Sequence, residues 1–424
     1  MFNINVKTIF KSNIFKNISE TLATRIILIF LGLLTSVMIA RILGPEGRGF
    51  FAIASTIGAV GIQFANLGIQ ASNTYYVAKE KSLLPQLLGN SLFLGLIIGS
   101  IGAVAAWFFF QLWPATAPLQ NTLLILSLCW IPIGLTYLLL QNLLIGINDI
   151  RSYNLIELYT KILYSIVVFG IVFFQYVSVE TVYLVVLSIG IIGNIWIYLK
   201  LYRIDNQKPK LSMQIFRNSI GYGIKAYITA LFSFLVIRID VLMIQYYLGI
   251  EQVGLYSIAV TLADYIYMIP MVLGTVIFPK LSSMNDFNEK WNLTKKSIYM
   301  LIPIMLIILL VFGVLAKFII SLLYGESFSY AVPAVIWLLP GIFFLSLNTV
   351  LMNYFASNGM PVFTIYSTVA GTLINIISNI YLLPAIGIVG ASISSLFAYA
   401  SMFIFSIIYA RLTLNNHSDI REEA

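Results

Sequence analysis

The sequence predicts an all-α polytopic membrane protein because it has few charges, many apolar residues and long apolar runs. Only 9% of the 424 residues are Asp, Glu, Lys or Arg, and 60% are hydrophobic. A soluble domain carries about 25% charged residues, since charge must cover its water-facing surface. The composition therefore excludes a large soluble domain, and apolar runs of this length can cross a bilayer as helices.

Twelve apolar runs of about 20 residues have the length that a transmembrane helix requires. They lie near residues 18–40, 50–71, 85–110, 121–143, 153–174, 181–201, 218–247, 253–278, 297–320, 331–355, 361–382 and 388–411. Lysines precede the first run, as in a signal peptide, but no small-residue cleavage pattern follows it. We therefore interpret it as an uncleaved helix.

The distribution of Lys and Arg among the connections predicts the orientation in the membrane. With the N-terminus inside, 17 of these residues fall in cytoplasmic segments, and only Arg41, Arg48 and Lys317 fall outside. The sequence therefore predicts a multi-pass membrane protein with both termini in the cytoplasm. This bias, with attraction to anionic lipid, explains the net charge of +8, so no nucleic-acid partner is expected.

The chain is predicted to divide into two similar halves. Residues 1–205 form an N-terminal six-helix lobe, residues 206–217 a cytoplasmic linker, and residues 218–424 a C-terminal six-helix lobe with a cytoplasmic tail. Two stretches 205 residues apart, LGPEGRGFFAIA from Leu43 and LGIEQVGLYSIA from Leu248, share Leu, Gly, Glu, Gly, Ile and Ala. Each stretch joins the first two helices of its half, which predicts parallel repeats around a central cavity. Glycine-rich turns that agree by chance are the alternative.

Four basic residues fall within predicted spans, where a charge is costly and is therefore a functional candidate. They are Arg25, Lys161, Lys225 and Arg238. Arg238 lies too deep in its span to reach the surface easily, whereas Arg25 and Lys225 lie near span ends and have an ordinary interfacial alternative. Lys161 follows Glu157 at i,i+4, so these two can also form a structural ion pair.

Two stripes of polar residues recur at helical spacing and are candidates to line a hydrated cavity. The second span has four amides, Gln63, Asn66, Gln70 and Asn73, and the eleventh has Thr364, Thr368, Thr372, Asn375 and Asn379. Against lipid such stripes are very costly, so they face water or protein. The alternative is that they are polar contacts that hold helices together.

Two acidic residues, Asp240 and Asp264, are candidates for binding a coupling H⁺ or Na⁺, or for acting as fixed counter-ions. Asp240 lies about 200° around its helix from Arg238, so these near neighbours cannot pair simply. Arg238 lies twelve residues before the turn near Ile250, and Asp264 lies fourteen after it. Their depths therefore differ by about 3 Å, and we expect them to pair.

The chain resembles Wzx-type polysaccharide flippases, members of the MOP superfamily that also contains MATE drug exporters and lipid II flippases. The resemblance rests on ARILGPEGRG from Ala40, Leu67-Gly68, Tyr75-Tyr76, Arg238-Ile239-Asp240, Phe278-Pro279 and GIVGA from Gly387. It implies a MATE-like bundle of twelve helices in two lobes. It also implies translocation of an undecaprenyl-pyrophosphate-linked oligosaccharide from the inner to the outer leaflet by alternating access. O-antigen, capsule or exopolysaccharide synthesis would be the purpose, with a polymerase and a chain-length regulator as partners.

Three other functions fit the same residues less well: a drug exporter, a glycan polymerase and a non-transporting scaffold. A MATE-type drug exporter would favour an acidic cavity, whereas here the buried cations match or outnumber the acids. A glycan polymerase, as an enzyme, would be expected to carry charges in a sizeable outer loop, which the sequence does not predict. A non-transporting scaffold would leave the charges within the spans without a role. With one cysteine, Cys129, and one histidine, His417, the sequence predicts no metal site and no cofactor.

The predicted topology can be tested with reporter fusions. A green fluorescent protein fused after Asn206 is expected to fluoresce, and an alkaline phosphatase fused after Glu326 is expected to be active. An active phosphatase after Asn206 would contradict the twelve-span topology, because this position separates the two six-helix halves.

Overall fold

The computed structural model describes residues 13–113, 117–119, 121–284 and 286–422, apart from the side chains of 13–19, 22, 121, 225 and 415–422. The regular structure of these residues is helical. The α-helices, numbered in chain order, are α1 (Asn13–Ala65), α2 (Ile69–Lys79), α3 (Leu84–Leu92), α4 (Gly99–Leu112), α5 (Asn121–Gly146), α6 (Ile150–Phe173), α7 (Val179–Asp205), α8 (Met213–Leu248), α9 (Ile250–Ser282), α10 (Phe287–Tyr324), α11 (Val332–Ser357), α12 (Phe363–Ile386) and α13 (Ile388–Glu422). A π-helix, Phe93–Ile98, joins α3 to α4, and 3₁₀ turns at Lys81–Leu83 and Glu326–Ala331 precede α3 and α11.

Within the described ranges, eleven helical segments are long and apolar enough to cross a membrane. Ten of them each overlap one predicted span. The remaining one, Ala23–Ala65, contains most of the first two predicted spans, because α1 continues through the connection between them. The prediction of an all-α polytopic membrane protein is confirmed.

Gly44 divides α1 into two parts. Its backbone, with φ 67° and ψ −176°, is not helical, and Pro45 starts the second part of the helix. Glycine tolerates this positive φ, and proline suits a first helical position because it lacks the N–H that would be unpaired there. Gly249, 205 residues later, has nearly the same conformation, φ 87° and ψ 177°, between α8 and α9. The two copies of the repeated motif therefore break their helices at the same position and in the same way.

The same two copies also pack against each other, at a close contact of Gly49 and Gly254 that we call the glycine crossing. A Cβ atom on Gly49 would overlap the carbonyl oxygen of Ile250, and one on Gly254 would overlap the carbonyl oxygen of Pro45. Gly49 and Gly254 are 205 residues apart, as are Pro45 and Ile250, so the crossing contains equivalent residues from both copies. Small residues allow this close backbone approach between helices.

The described helices belong to two compact units. Unit 1 comprises Met1–Leu43 and Ala54–Tyr227, and unit 2 comprises Gly44–Ile53 and Ile228–Ala424. This division differs from the predicted lobes in two places. The segment Gly44–Ile53 belongs with unit 2 because its glycine contact is with α9, and the first turns of α8 belong with unit 1.

The first turns of α8 are attached to unit 1 through the segment that precedes them. Ser212 and Asn90 exchange two hydrogen bonds: the Asn90 amide donates to the Ser212 carbonyl at 2.9 Å, and the Ser212 N–H donates to Asn90 Oδ1 at 3.0 Å. The Lys210 N–H also donates to the Pro85 carbonyl at 2.9 Å. Much of the predicted linker is therefore held against α3 within unit 1.

The glycine crossing predicts a position-specific loss of stability. Gly49→Ala and Gly254→Ala are each expected to lower the stability by about 1–3 kcal/mol, because the added methyl meets backbone that cannot rotate away. The measurement is the apparent melting temperature of the purified protein in detergent. Gly102→Ala is the matched control, since Gly102 lies in α4 with open space where its Cβ would be. Equal melting temperatures for all three variants would show that the backbones are not in contact there.

Candidate functional site

An ion pair lies within the helices of unit 2. Arg238 Nη2 of α8 donates to Asp264 Oδ2 of α9 at 2.6 Å, and both side chains are partly buried. The pairing expected from their equal depth is confirmed. A guanidinium at this depth requires an anionic partner, which Asp264 provides in this state.

The same face of α9 also holds a second arginine, from the Gly44–Ile53 segment. Arg48 Nε donates to Ser257 Oγ at 3.1 Å, and its Nη2 donates to Thr261 Oγ1 at 3.1 Å. Only 8% of Arg48 is exposed, and its guanidinium lies over the Phe51 ring. Sequence reasoning missed this residue because it counted Arg48 as a charge in an outer connection. The available signal was its position inside the repeated motif, where the second copy has Val253.

Asp240 is the most buried acidic residue described in unit 2, with 1% exposure. Its Oδ2 accepts hydrogen bonds from the Tyr256 hydroxyl at 2.6 Å and from Ser395 Oγ at 2.7 Å. Its Oδ1 has no hydrogen-bond partner among the described atoms. No described basic side chain forms an ion pair with it, which agrees with the expectation that Arg238 and Asp240 do not pair.

A small cavity lies between the two acidic residues of unit 2. Asp240 and Asp264 line it together with Tyr256, Tyr267 and Tyr399, and aliphatic side chains close the remainder. It has room for about one water molecule or one monovalent cation. Asp240 and the Asp264 of the ion pair therefore border the same cavity.

The polar stripe of α12 lies in the interior of unit 2. All five of its predicted members, from Thr364 to Asn379, are buried. Asn379 Nδ2 donates to Asn375 Oδ1 at 3.0 Å, and Asn375 Nδ2 donates to Ser395 Oγ at 3.3 Å. Asn379 Oδ1 is buried and has no described partner. Asn375 and Asn379 thus form a hydrogen-bonded chain through Ser395 to Asp240, whereas the threonine hydroxyls of the stripe donate to backbone carbonyls. All five side chains are surrounded by protein.

The amide stripe of the second span differs from its prediction. The helical spacing predicts that the four amides lie on one face of a continuous helix. In the structure α1 ends at Ala65 and α2 begins at Ile69, with positive φ at Leu67 and Gly68. The prediction that the four amides share one helical face is therefore wrong. Asn73 is buried and donates to Ser91 Oγ at 2.8 Å and to the Leu139 carbonyl at 3.2 Å.

The other three amides, on either side of this break, differ in burial and in hydrogen bonding. Asn66 is buried, and its Oδ1 accepts from the Gln70 N–H at 3.3 Å. Gln63 Oε1 is buried without a described partner, and the Gln70 side chain is half-buried.

Unit 1 has its own ion pair, between α1 and α6. Arg25 Nη1 donates to Glu157 Oε1 at 2.7 Å, and Arg25 Nη2 donates to the Tyr153 hydroxyl at 2.8 Å. Glu157 thus pairs with Arg25 and not with Lys161, which settles the alternative left open by the i,i+4 spacing. Lys161 lies with Nζ 5.0 Å from the centre of the Tyr164 ring and has no carboxylate within 4 Å among the described residues. The Lys225 side chain lies outside the described atoms.

Solved membrane transporters have this fold. The chain is similar to the lipid II flippase MurJ in an inward-closed conformation, with a TM-score of 0.73, 16% identity, and coverage of 92% of this chain and 87% of that one. It is similar to an inward-facing multidrug resistance MATE family transporter of the MOP superfamily, with a TM-score of 0.70, 15% identity, and coverage of 92% and 96%. At these identities the likeness concerns the fold alone. The protein is therefore a multi-pass membrane protein with a MATE-like fold.

The family follows from the sequence. A family model described as "Polysaccharide biosynthesis protein" matches residues 38–333, which is more than half of the chain. The chain belongs to this family of polysaccharide biosynthesis proteins, which agrees with the resemblance noted in its sequence.

Two curated archaeal proteins are related to the chain. An uncharacterized membrane protein of Methanocaldococcus jannaschii is 25% identical over 68% of this chain and 59% of its own length. The probable low-salt glycan biosynthesis flippase Agl15 of Haloferax volcanii is 23% identical over 47% of this chain and 43% of its own length. The chain thus matches less than two thirds of the length of either relative.

Proposed function

We propose that the protein is a flippase for a lipid-linked glycan. In this proposal it moves an undecaprenyl-pyrophosphate-linked oligosaccharide from the inner to the outer leaflet of the bacterial cytoplasmic membrane, by alternating access. The product would supply O-antigen, capsule or exopolysaccharide synthesis, with the polymerase and chain-length regulator of that pathway as partners. Membership of a polysaccharide biosynthesis family supports the glycan, and the fold of membrane transporters supports translocation.

The observation that carries the proposal is the Arg238–Asp264 pair at 2.6 Å. A pyrophosphate diester is a dianion that must leave water to cross the membrane, so it needs a cation within the protein. Arg238 offers a planar fork of donors that matches phosphate oxygens. In the proposed cycle Asp264 neutralises Arg238 when no substrate is bound, and the pyrophosphate displaces Asp264 when it binds. Substrate binding then favours one access state because only that state offers an unpaired Arg238.

Unit 1 contributes the other proposed cations. Lys161 has no carboxylate partner among the described residues, and Arg25 is held by Glu157 and Tyr153. We assign Lys161 to the substrate anion and the Arg25–Glu157 pair to a fixed position beside it. Lys225 keeps its predicted role as a further cation for the substrate.

Glycan export tests the proposed role of Arg238. The assay is complementation of a strain that lacks its own copy of the gene, with variants at matched expression. Arg238→Ala is expected to lower export by more than tenfold, because the pyrophosphate loses its partner, while Arg238→Lys should restore only part of it. The double variant Arg238→Ala/Asp264→Asn removes both charges, so it should fold well and still fail to export.

Arg203→Ala is the matched control, since Arg203 is exposed at the end of α7. Normal export by Arg238→Ala would refute the proposal.

Asp240 is proposed as the site of the coupling ion. A fully buried carboxylate with one unpartnered oxygen requires a proton or a bound cation. Asp240, linked to the substrate pair through the small cavity, would thus connect ion binding to substrate binding.

The ion can be identified by thermal stability in detergent. The melting temperature of the wild type is expected to rise with NaCl relative to KCl at equal ionic strength if the ion is Na⁺, or to change between pH 5 and 8 at fixed salt if it is H⁺. Asp240→Asn should abolish that response, whereas the exposed Glu289→Gln should keep it. A response that survives in Asp240→Asn would make Asp240 a structural residue.

A further inference from the structure

Three tyrosines of unit 1 form a single cluster of rings. Tyr75 of α2 and Tyr222 of α8 are stacked, with ring centres 4.2 Å apart and 14° between the ring planes. Tyr76 meets both edge-on, at 5.2 Å from Tyr75 and 5.8 Å from Tyr222. Although each stacked ring covers one face of the other, Tyr75 is 41% exposed and Tyr222 is 47% exposed. The cluster therefore presents aromatic surface to its surroundings.

The backbone holds this cluster in place. Gly68, just before α2, and Gly223, next to Tyr222, approach so closely that a Cβ on either would overlap the carbonyl of the other. The Tyr76 hydroxyl also donates to the Asn218 carbonyl at 3.4 Å. The rings therefore project from two helices whose backbones are in fixed contact. Because the aromatic surface is preformed, a ligand loses little free energy in ordering these side chains.

The helical segments that carry the rings also contain polar residues. Tyr222 lies in the first turns of α8, near the start of the predicted seventh span, and α2 has 11 residues, which is too short to cross a membrane. Arg217 and Asn218 on α8 and Lys79 on α2 are exposed. This polar sequence favours a ligand with hydrogen-bonding groups over a purely apolar one.

The neighbouring polar groups favour a neutral or anionic ligand. Asn218 lies one turn before Tyr222 on α8 and is exposed, and Arg217 and Lys79 are exposed nearby in sequence on the same two helices. Glu80, which follows Lys79, is also exposed, so the two cations outnumber the acid and disfavour a cationic drug. An amide can bond the hydroxyl groups of a sugar. A pyranose has one face of C–H groups that packs on an aromatic ring and a rim of hydroxyls that needs such partners.

We propose that Tyr75, Tyr76 and Tyr222 form a stacking subsite for a sugar ring of the lipid-linked oligosaccharide. This subsite rests on the proposed flippase function and assigns the glycan part of the substrate to unit 1. The sugar packs on the exposed face of a stacked tyrosine, and Asn218 bonds its hydroxyls. The pyrophosphate is bound by other residues, so the subsite adds affinity only when a glycan is present.

Native mass spectrometry of the purified protein tests the subsite with two probes. The first is undecaprenyl-pyrophosphate oligosaccharide extracted from the strain that carries the gene, and the second is undecaprenyl pyrophosphate without sugar. The wild type is expected to bind the glycosylated lipid about tenfold more tightly than the bare one. In Tyr75→Leu/Tyr222→Leu this preference should disappear while binding of the bare lipid is unchanged. Tyr75→Phe/Tyr222→Phe should keep the preference within about twofold, since stacking needs the ring and not the hydroxyl.

The controls separate this proposal from the one on which it rests. Arg238→Ala should weaken both probes equally, and Tyr246→Leu, at an exposed tyrosine near the far end of α8, should change neither. An undiminished glycan preference in the leucine double variant would overturn the subsite alone. If the leucine double variant lost bound phospholipid but kept its glycan preference, the subsite would also be overturned, and the rings would be membrane anchors. A wild type that binds neither probe would overturn the flippase proposal and the subsite together.

Discussion

Every backbone N–H and C=O group within the hydrocarbon must be paired inside the protein, and the architecture of this chain depends on that constraint. An α-helix pairs these groups within one segment, so the described chain is helical almost throughout. A helix can then break only where other protein covers the break or where it reaches the membrane surface. The breaks at Gly44 and Gly249 use the positive φ that glycine tolerates, and each is followed at once by a helix that takes part in the glycine crossing.

The same lack of water determines how the charges are arranged. In each unit an arginine finds a carboxylate, Arg25 with Glu157 and Arg238 with Asp264, and each pair joins two helices. Pairs of this kind contribute little net stability, because the desolvation of both partners offsets their attraction. Each pair instead fixes the position of a charge between two helices, and in the proposed cycle Arg238 exchanges Asp264 for the substrate anion.

The sequence was sufficient for features that follow from local rules. Span lengths, the repeated motif and the equal depth of Arg238 and Asp264 depend on residues that are counted along one or two helices, and the structure agrees with them. The amide stripe of the second span failed because helical spacing was carried across Asn66, Leu67 and Gly68, where the helix is broken. The burial of Arg48 and the stacking of Tyr75 on Tyr222 could not be predicted, since each depends on which distant helix lies alongside.

The two halves share a scaffold but not a chemistry. The positions that shape the backbone recur at a separation of 205 residues, as Gly44 with Gly249 and Gly49 with Gly254. The charged positions do not recur: at the same separation Arg238 corresponds to Leu33, Asp240 to Thr35 and Asp264 to Ala59. A duplicated scaffold needs the same glycines in both copies because both copies make the same turn. The ionisable groups can differ between the copies because they do not shape that turn. The repeat therefore constrains the backbone of both halves, whereas each half places its arginine–carboxylate pair at its own positions, Arg25 with Glu157 in one and Arg238 with Asp264 in the other.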